Sequence, residues 1–417
     1  MSGPLVAPFS GWMVKPEWAD RVISRAFDNI TPSERRAIIA DNPYSYVNVT
    51  RSHEDFADDK DCSLERLVTA GSEALQRLLD AEVFTPTGRP ALYLYKMSHE
   101  RGEQTGVICT VSVDGVDDGR IRLHENVRES HTALLTEHLL GVGAASNPAA
   151  LAVQSSPQLL KTLNDITSTM EPELSFGSDV VHHEVWTVPT EHTQELLDLL
   201  ENETLYVTDG HHRLNAGMRA RAAAPDSEPL KRTLAAIYPT EQLDVEAFHR
   251  IVADCRHDKP SECFAAIAEA TGGLKEVASA EEARPQQRGE VGVYVGGEWY
   301  RMKLPAPAAD SSAVEALDVE LLRNHVLDPL LGADELSGTG SVDYLSDLAG
   351  TEELVTRCQE HNRIGFVMHP VSIGELINVA DEDGRMPPKS SFFNPKPRSG
   401  AFMYMLARGA TAHLPAS

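Results

Sequence analysis

Apolar residues recur at helical spacing over Ser63 to Asp80, where Leu64, Leu67, Val68, Leu75, Leu78 and Leu79 define one face. Ala91 to Met97 and Gly106 to Asp114 read instead as two strands around a polar turn, pairing as a hairpin. A strand at 120–123 passes into a helix from about Arg128. Residues 184–190 predict a strand, Glu191 to Leu200 a helix, Leu205 to Thr208 a short apolar strand, and the segment after Asp209-Gly210 a helix to about Ala223. Leu234 to Tyr238 reads as strand and Val245 to Val252 as helix. A second hairpin is expected at Val291 to Leu304, turning at Gly296-Gly297. The Pro/Ala/Ser-rich stretch Pro305 to Ser312 lacks apolar periodicity and reads as a linker. Beyond it the pattern predicts helices at Val319–Leu331, Glu352–His361 and Ile373–Ala380, with a strand at Ile364–Met368. This alternation argues for an α/β or α+β core.

At 417 residues, with 41% hydrophobic and 24% charged residues, the chain is long enough for two or three domains and can bury a sizeable core. Its 37 basic and 63 acidic residues leave a net charge of −26. A polyanion repels a phosphate backbone and an anionic lipid surface, so general nucleic-acid binding and membrane adhesion are not expected. A local basic pocket for one small phosphate ligand is compatible with that field. Five scattered cysteines without a CxxC pair form neither a disulfide framework nor a zinc knuckle, which suits a reducing cytoplasm. No basic segment followed by an apolar stretch opens the chain, so no signal peptide is expected. The most apolar long window, Ala133 to Val153, is interrupted by Glu137, His138, Asn147 and Pro148 and reads as no membrane span.

The strongest local signal is Leu205 to Ala222, LYVTDGHHRLNAGMRARA. A short apolar strand ends in Asp209-Gly210, and His211, His212 and Arg213 open a helix. Backbone N–H groups and the positive end of the helix dipole make such a turn an anion site. Gly210 lets a phosphate approach the backbone, Arg213 offers a planar donor fork, and Asp209 suits a Mg²⁺ bridging phosphate oxygens. The plainer alternative is a strand–helix turn with Asp209 as N-cap and solvated histidines. A second candidate is His124-Glu125, where a strand gives way to a helix and a carboxylate can serve as general base toward a hydroxyl; a solvated glutamate in a first helical turn is the alternative. The third is Gly384 to Gly400, GRMPPKSSFFNPKPRSG, which holds two of the chain's ten lysines, Lys389 and Lys396, together with Ser390, Arg385 and Arg398. Its four prolines stiffen the loop, so these cations are either presented to an anionic ligand or solvated around a loop packed by Phe392 and Phe393.

Stock motifs are missing or broken: there is no P-loop, no HExxH and no GxSxG. Leu140–Ser146 imitates a dinucleotide loop without its third glycine or preceding strand. His182-His183 with Glu184 sits on a strand, where neighbours point to opposite faces, and is left out of any site.

Three of these segments together resemble one family. Asp209-Gly-His-His-Arg213 after its strand, the His124-Glu125 turn, and Met386-Pro-Pro-Lys-Ser390 with Pro395-Lys396 and Ser399-Gly400 resemble domain-of-unknown-function family 1015, widespread in bacteria and archaea. Asn42-Pro-Tyr-Ser-Tyr-Val-Asn48, Leu317-Asp-Val319 and Asp328-Pro-Leu-Leu-Gly332 resemble it too, so the similarity spans nearly the whole chain. The Asp209–Arg213 turn also resembles that of free L-serine kinases, which share the fold of ParB N-terminal domains and sulfiredoxin. That resemblance implies a mixed-sheet nucleotide-binding core, with Gly210, His211, His212 and Arg213 on nucleotide phosphates, Asp209 assisting Mg²⁺, and Glu125 as catalytic base. It implies transfer from ATP or ADP to the hydroxyl of a free amino acid, L-serine first among them. His124, Lys389, Ser390 and Lys396 are further ligand-binding candidates. The chain departs from the family at Arg25-Ala-Phe-Asp28, where Pro-Pro-Tyr-Asp is common, and at Asn126-Val127, where Arg-Thr usually follows; both bear on acceptor recognition.

The expected organisation is an N-terminal region (1–89) packed on a ParB/sulfiredoxin-like core with its hairpin extension (90–304), and a C-terminal lobe (311–417) that carries the lysine loop back toward the nucleotide. The alternative function is a nucleotide-binding switch or scaffold without kinase activity. A sulfiredoxin-like redox role lacks a cysteine in or beside the Asp209–Arg213 turn.

Overall fold

The computed structural model describes residues 3–56, 62–154, 156–177, 180–253, 260–333, 341–361 and 363–406. The chain divides into two compact units that are not consecutive segments. One comprises residues 1–123, 127–243 and 395–417; the other comprises 124–126 and 244–394.

The first unit is built on one mixed sheet. Its strands are β1 (Val6–Ala7), β2 (Tyr93–His99), β3 (Gly102–Ser112), β4 (Ile121–Arg122), β5 (Ala149–Val153), β6 (Leu174–Gly177), β7 (Val181–Thr187), β8 (Leu205–Asp209) and β9 (Arg232–Pro239). They lie in the order β4-β8-β5-β9-β3-β2-β7-β6, with β1 against the Val111 end of β3. The β8–β4 and β9–β5 pairs are parallel and the others antiparallel. The expected hairpin is β2–β3, with Tyr95 opposite Gly106. Helices of this unit include α1 (Leu64–Asp80), α2 (Glu129–Val142), α3 (Pro157–Thr169), α4 (Thr190–Glu201) and α5 (His211–Ala223).

Strand alternation gives this sheet two differently furnished faces. Leu92, Leu94, Val107, Cys109, Leu151, Trp186, Ala235 and Ile237 form an aliphatic core with Leu159 and Leu163 of α3 and Leu196 and Leu200 of α4. The intervening residues Tyr93, Tyr95, Ile108, Ala150, Val185, Ala236 and Tyr238 form an aromatic core with Leu75 and Leu78 of α1 and with Phe402. Helix α1 turns to it the apolar stripe that its sequence spacing predicts. Gly11–Val14, Phe84–Pro86, Phe402–Met405 and Ala144–Ala145 make a small antiparallel sheet, so residues from near both ends of the chain share one ladder.

The second unit carries a six-stranded antiparallel sheet of β10 (Phe248–Val252), β11 (Lys275–Val277), β12 (Glu290–Val295), β13 (Glu298–Lys303), β14 (Val342–Ser346) and β15 (Ile364–Met368), in the order β11-β13-β12-β15-β10-β14. The expected Gly296-Gly297 hairpin is β12–β13, and both glycines have positive φ. Helices α6 (Pro260–Thr271), α7 (Gly350–His361) and α8 (Ile373–Asp381) accompany it. Residues 305–308 carry no regular structure, as the linker reading expects.

One expectation is corrected here. Val245 to Val252 is not a helix: Val245–Glu246 pairs with Phe392–Phe393, and β10 runs between β14 and β15. All five residues of β10 are buried, so both faces of the strand need cover and the period-2 signal is lost. The expected helix at 319–331 is α-helical only over Asp318–Leu322 and continues as a π-helix over Arg323–Leu331, with Pro329 inside it. Among the described residues no helix is long and apolar enough to cross a membrane.

Gly106 marks the tightest approach in the aromatic core: a Cβ there would stand 2.5 Å from Cε1 of the buried Tyr238 ring. Gly106→Ala is expected to cost about 1–3 kcal/mol by overpacking, read as a lowered denaturant midpoint. An unchanged midpoint would mean that the Tyr238 ring has room to shift.

Candidate functional site

Strand β8 is apolar up to Thr208 and ends in Asp209, and its pairing with β5 is irregular at that point. Val207 lies opposite Leu151, but Asp209 lies opposite Ala150, so Thr208 is an extra residue in the ladder. The bulge has a consequence for direction. Without it Asp209 would share the face of Val207 in the aliphatic core; with it the carboxylate is in register with Ala150, on the face of Tyr95 and Tyr238.

Gly210 follows with φ +100°, a conformation that side-chain-bearing residues rarely adopt, and caps α5. The first helical bond runs from Leu214 N–H to Gly210 O at 3.0 Å, so the amides of 211–213 point out of the helix end. Arg213 folds back over this turn. Its Nη2 donates to Asp209 Oδ2, and its Nη1 donates to Asn147 Oδ1 and the Pro148 carbonyl. Lys396 reaches the other carboxylate oxygen, Nζ to Oδ1 at 2.6 Å. The lysine side chain is 8% exposed and that of Asp209 18%. Burial pushes the Asp209 carboxyl up, but the charges of Lys396 and Arg213, with the Lys396 hydrogen bond and His211, hold it well below the ordinary carboxylate range.

The histidines divide. His211 is buried, whereas His212 accepts from the Arg128 amide through Nε2 at 2.9 Å and packs at a 39° tilt against His131, centroids 4.5 Å apart. Two buried or partly buried cations on a single carboxylate leave a net positive charge at the amino end of α5, the arrangement an anion requires. A magnesium ion held by Asp209 does not fit it. Each carboxylate oxygen already faces a cation, and among the described residues no group of three or more His, Cys, Asp or Glu side chains converges as a metal site.

The other candidates belong to the second unit, where the structure joins two segments that are far apart in sequence. His124 and Glu125 meet the Met386-Pro-Pro-Lys-Ser390 segment: Glu125 bridges Met386 in parallel, and the Met386 amide donates to the His124 carbonyl at 2.7 Å. His124 is fully buried, with Nε2 3.4 Å from Ser391 Oγ. Ser390 is buried and donates to the Pro387 carbonyl at 2.8 Å. Lys389 has φ +56° and holds its ammonium over the Phe248 ring, 5.1 Å from the centroid. Of the two lysines in the Gly384–Gly400 loop, then, Lys396 reaches Asp209 and Lys389 is engaged by an aromatic ring. Asn147 and the β8 bulge were not read from sequence, since an irregular ladder leaves no local residue signature.

The model of a family of proteins of unknown function, DUF1015, matches residues 6–320, and the chain belongs to that family. A search of the curated proteins found no match. Among solved structures, the chain is similar to a mutant free serine kinase in complex with ADP, at 13% identity and a TM-score of 0.36, covering 70% of this chain and 91% of that chain. It is similar to a conserved hypothetical protein from Pyrococcus furiosus at 14% and 0.36, covering 72% and 95%. C-terminally truncated SbnI from Staphylococcus aureus is similar at 12% and 0.37, covering 70% and 85%. Likenesses this remote carry no functional argument, which rests on the residues themselves.

The Asp209 pair sets a pH signature. A depressed carboxyl stabilises the fold in full above the unfolded value of about 4 and loses that contribution as pH falls toward the folded value. Asp209→Asn is expected to cost about 3 kcal/mol at neutral pH, because the largely buried Lys396 ammonium loses its carboxylate and the partly buried Arg213 keeps only Asn147 and Pro148. Urea midpoints across the acid range should show the gap to the unsubstituted protein closing below about pH 4; a gap of constant size would place the stabilisation elsewhere.

Proposed function

We propose that this DUF1015 member is a small-molecule phosphotransferase that binds ATP or ADP at the Asp209–Arg213 turn and phosphorylates the hydroxyl of a free amino acid, L-serine first among the candidates. The observation that carries the reading is the convergence of Lys396 and Arg213 on the buried Asp209 carboxylate at the open end of α5. The resemblance of that turn to the free L-serine kinases supports the choice of reaction.

In such a transfer the protein does little covalent work; it aligns donor and acceptor and neutralises charge. Asp209 is a positioning residue that fixes two cations beside the helix end. Gly210 leaves the backbone open to a phosphate, and Arg213 is locked by Asn147 and Pro148 so that its orientation costs nothing on binding. Mg²⁺ belongs to the reading as the counter-ion that arrives with the nucleotide. Glu125, which bridges Met386 in the second unit, is assigned the hydroxyl proton, with His124, Lys389 and Ser390 as further ligand-binding candidates.

The double neutralisation of Asp209 favours a second reading, a nucleotide-binding switch or scaffold that transfers nothing. Product detection separates the two. Purified protein with Mg²⁺ and ATP or ADP, offered a panel of free amino acids, should yield a phospho-amino acid by mass spectrometry. Lys396→Met and Glu125→Gln should each cut turnover about 100-fold or more with the fold intact. Nucleotide binding without any phosphorylated product would transfer the assignment to the switch.

Gly210→Ala supplies an independent check on the nucleotide end of the site. Its Cβ would stand 2.9 Å from Arg213 Nε in a backbone conformation disfavoured for alanine. Nucleotide affinity should fall about tenfold or more, and retention of full affinity would remove the phosphate from this turn.

A further inference from the structure

Arg213 lies with its guanidinium over Gly210: Nε, Cζ and Nη2 stand 2.9, 3.0 and 3.1 Å from the place a Cβ would take there. A guanidinium has five N–H groups and accepts nothing. Nη1 directs both of its own to Asn147 Oδ1 and the Pro148 carbonyl, and Nη2 directs one to Asp209. The Nε–H and the second Nη2–H meet no acceptor among the described residues. The same chemistry orients Asn147. Only its oxygen can face a guanidinium, so the amide is fixed with Nδ2 turned away from Arg213. Covalent geometry keeps Nδ2 about 2.2 Å from Oδ1, hence beside the guanidinium. Nothing among the described residues accepts from it. Asn147 is half-buried, and neither its Nδ2 nor Arg213 Nε is among the buried polar atoms, so both are open to solvent.

The segment that carries Asn147 is held on both sides of it. Ser146 Oγ accepts the Gly400 amide at 2.7 Å and donates to the Phe402 carbonyl. Pro148 restricts Asn147 to extended backbone and turns its own carbonyl to Arg213. Ser146 thereby joins this segment to the chain just beyond the strap, residues 395–399, that delivers Lys396 to Asp209. Ser399 ties that strap to Ser24 by paired backbone hydrogen bonds of 2.9 and 3.1 Å. Asn147 is thus fixed before any ligand arrives, and a donor already in place loses little freedom on binding.

We propose that Asn147 is a ligand-contacting residue: its Nδ2–H groups and the remaining N–H groups of Arg213 donate together to phosphate oxygens of the bound nucleotide. The identity of that ligand rests on the function proposed above; the donor pair rests on the hydrogen bond that joins Asn147 to Arg213. A phosphate group presents several acceptor oxygens, so a cationic and a neutral donor side by side can each take one. The amide also adds a hydrogen bond without adding to the net positive charge that Lys396 and Arg213 leave around Asp209.

The test uses the full-length protein with asparagine labelled at its side-chain nitrogen, the Asn147 signal being identified by its loss in Asn147→Asp. The probes are ADP, adenosine and inorganic phosphate. ADP should shift the Asn147 Nδ2–H resonance and adenosine should not. Two variants separate contact from bracing. Asn147→Asp keeps an oxygen for Arg213 and loses the N–H groups; Asn147→Leu keeps the bulk and loses both. Each should weaken ADP binding about 10- to 100-fold, and an undiminished urea midpoint in Asn147→Asp reports that the fold is intact. The contact is overturned if adenosine shifts the resonance as ADP does, or if neither ADP nor phosphate shifts it. It is overturned too if either variant binds ADP as the unsubstituted protein does: tolerance of Asn147→Asp alone would leave a brace, and tolerance of Asn147→Leu alone would leave only the effect of an added charge. A shift with phosphate in a protein that binds no ADP would keep the contact and discard the nucleotide. Phosphoryl transfer to an amino acid with the Asn147 resonance unmoved would do the reverse.

Discussion

One carboxylate organises the site: Asp209, withdrawn from water and held ionised by a lysine and an arginine. Burying an ion is costly, and the cost is offset only where counter-charges and hydrogen bonds meet every lone pair that loses water. Asp209 meets that demand from two directions, Arg213 from one turn along its own helix and Lys396 from a segment 187 residues away. Arg213 is held by Asn147 and Pro148 as well, whereas the hydrogen bond of Lys396 is to Asp209. The same contact thus closes the fold and loads the helix end with positive charge, inside a protein of net charge −26.

The mixed sheet divides labour between its faces. The aliphatic face is packed by α3 and α4 and has little polar content. The aromatic face carries tyrosines with buried hydroxyls, His183 and, by virtue of one extra residue in β8, Asp209. A bulge at a strand end is a small departure, yet because side chains alternate it decides which of two chemically different cores receives a carboxylate.

Much of this was legible in the residues. The amphipathic α1, the β2–β3 and β12–β13 hairpins and the β8–α5 turn follow from periodicity and turn chemistry. Asp209, Arg213 and Lys396 were all candidates, and two of the motifs chosen for chemistry, His124-Glu125 and Met386–Ser390, lie against each other. The losses have physical causes. β10 is covered on both faces and reads no differently from a buried helix. β5, Ala149–Val153, closes an apolar window and is buried along its whole length, so no alternation marks it as a strand. The segments of each unit are joined by contacts of long sequence separation, which no local window records. His182 and His183 do point apart on their strand, and the inward one, His183, has a buried Nε2 with no hydrogen-bond partner among the described residues.

The strap at 395–399 and the strand Phe402–Met405 also impose an order of events on synthesis. The first unit takes most of its strands from residues that precede the second unit, but a strand of its small sheet, part of its aromatic core and the second cation on Asp209 come from residues made after it. While the ribosome is still elongating through the second unit, the first has a gap where Phe402 and Lys396 will lie. Asp209 then has Arg213 alone, and its other carboxylate oxygen faces water. A nascent chain that has not yet passed Lys396 cannot assemble the cation pair, which forms only when the 395–399 strap docks.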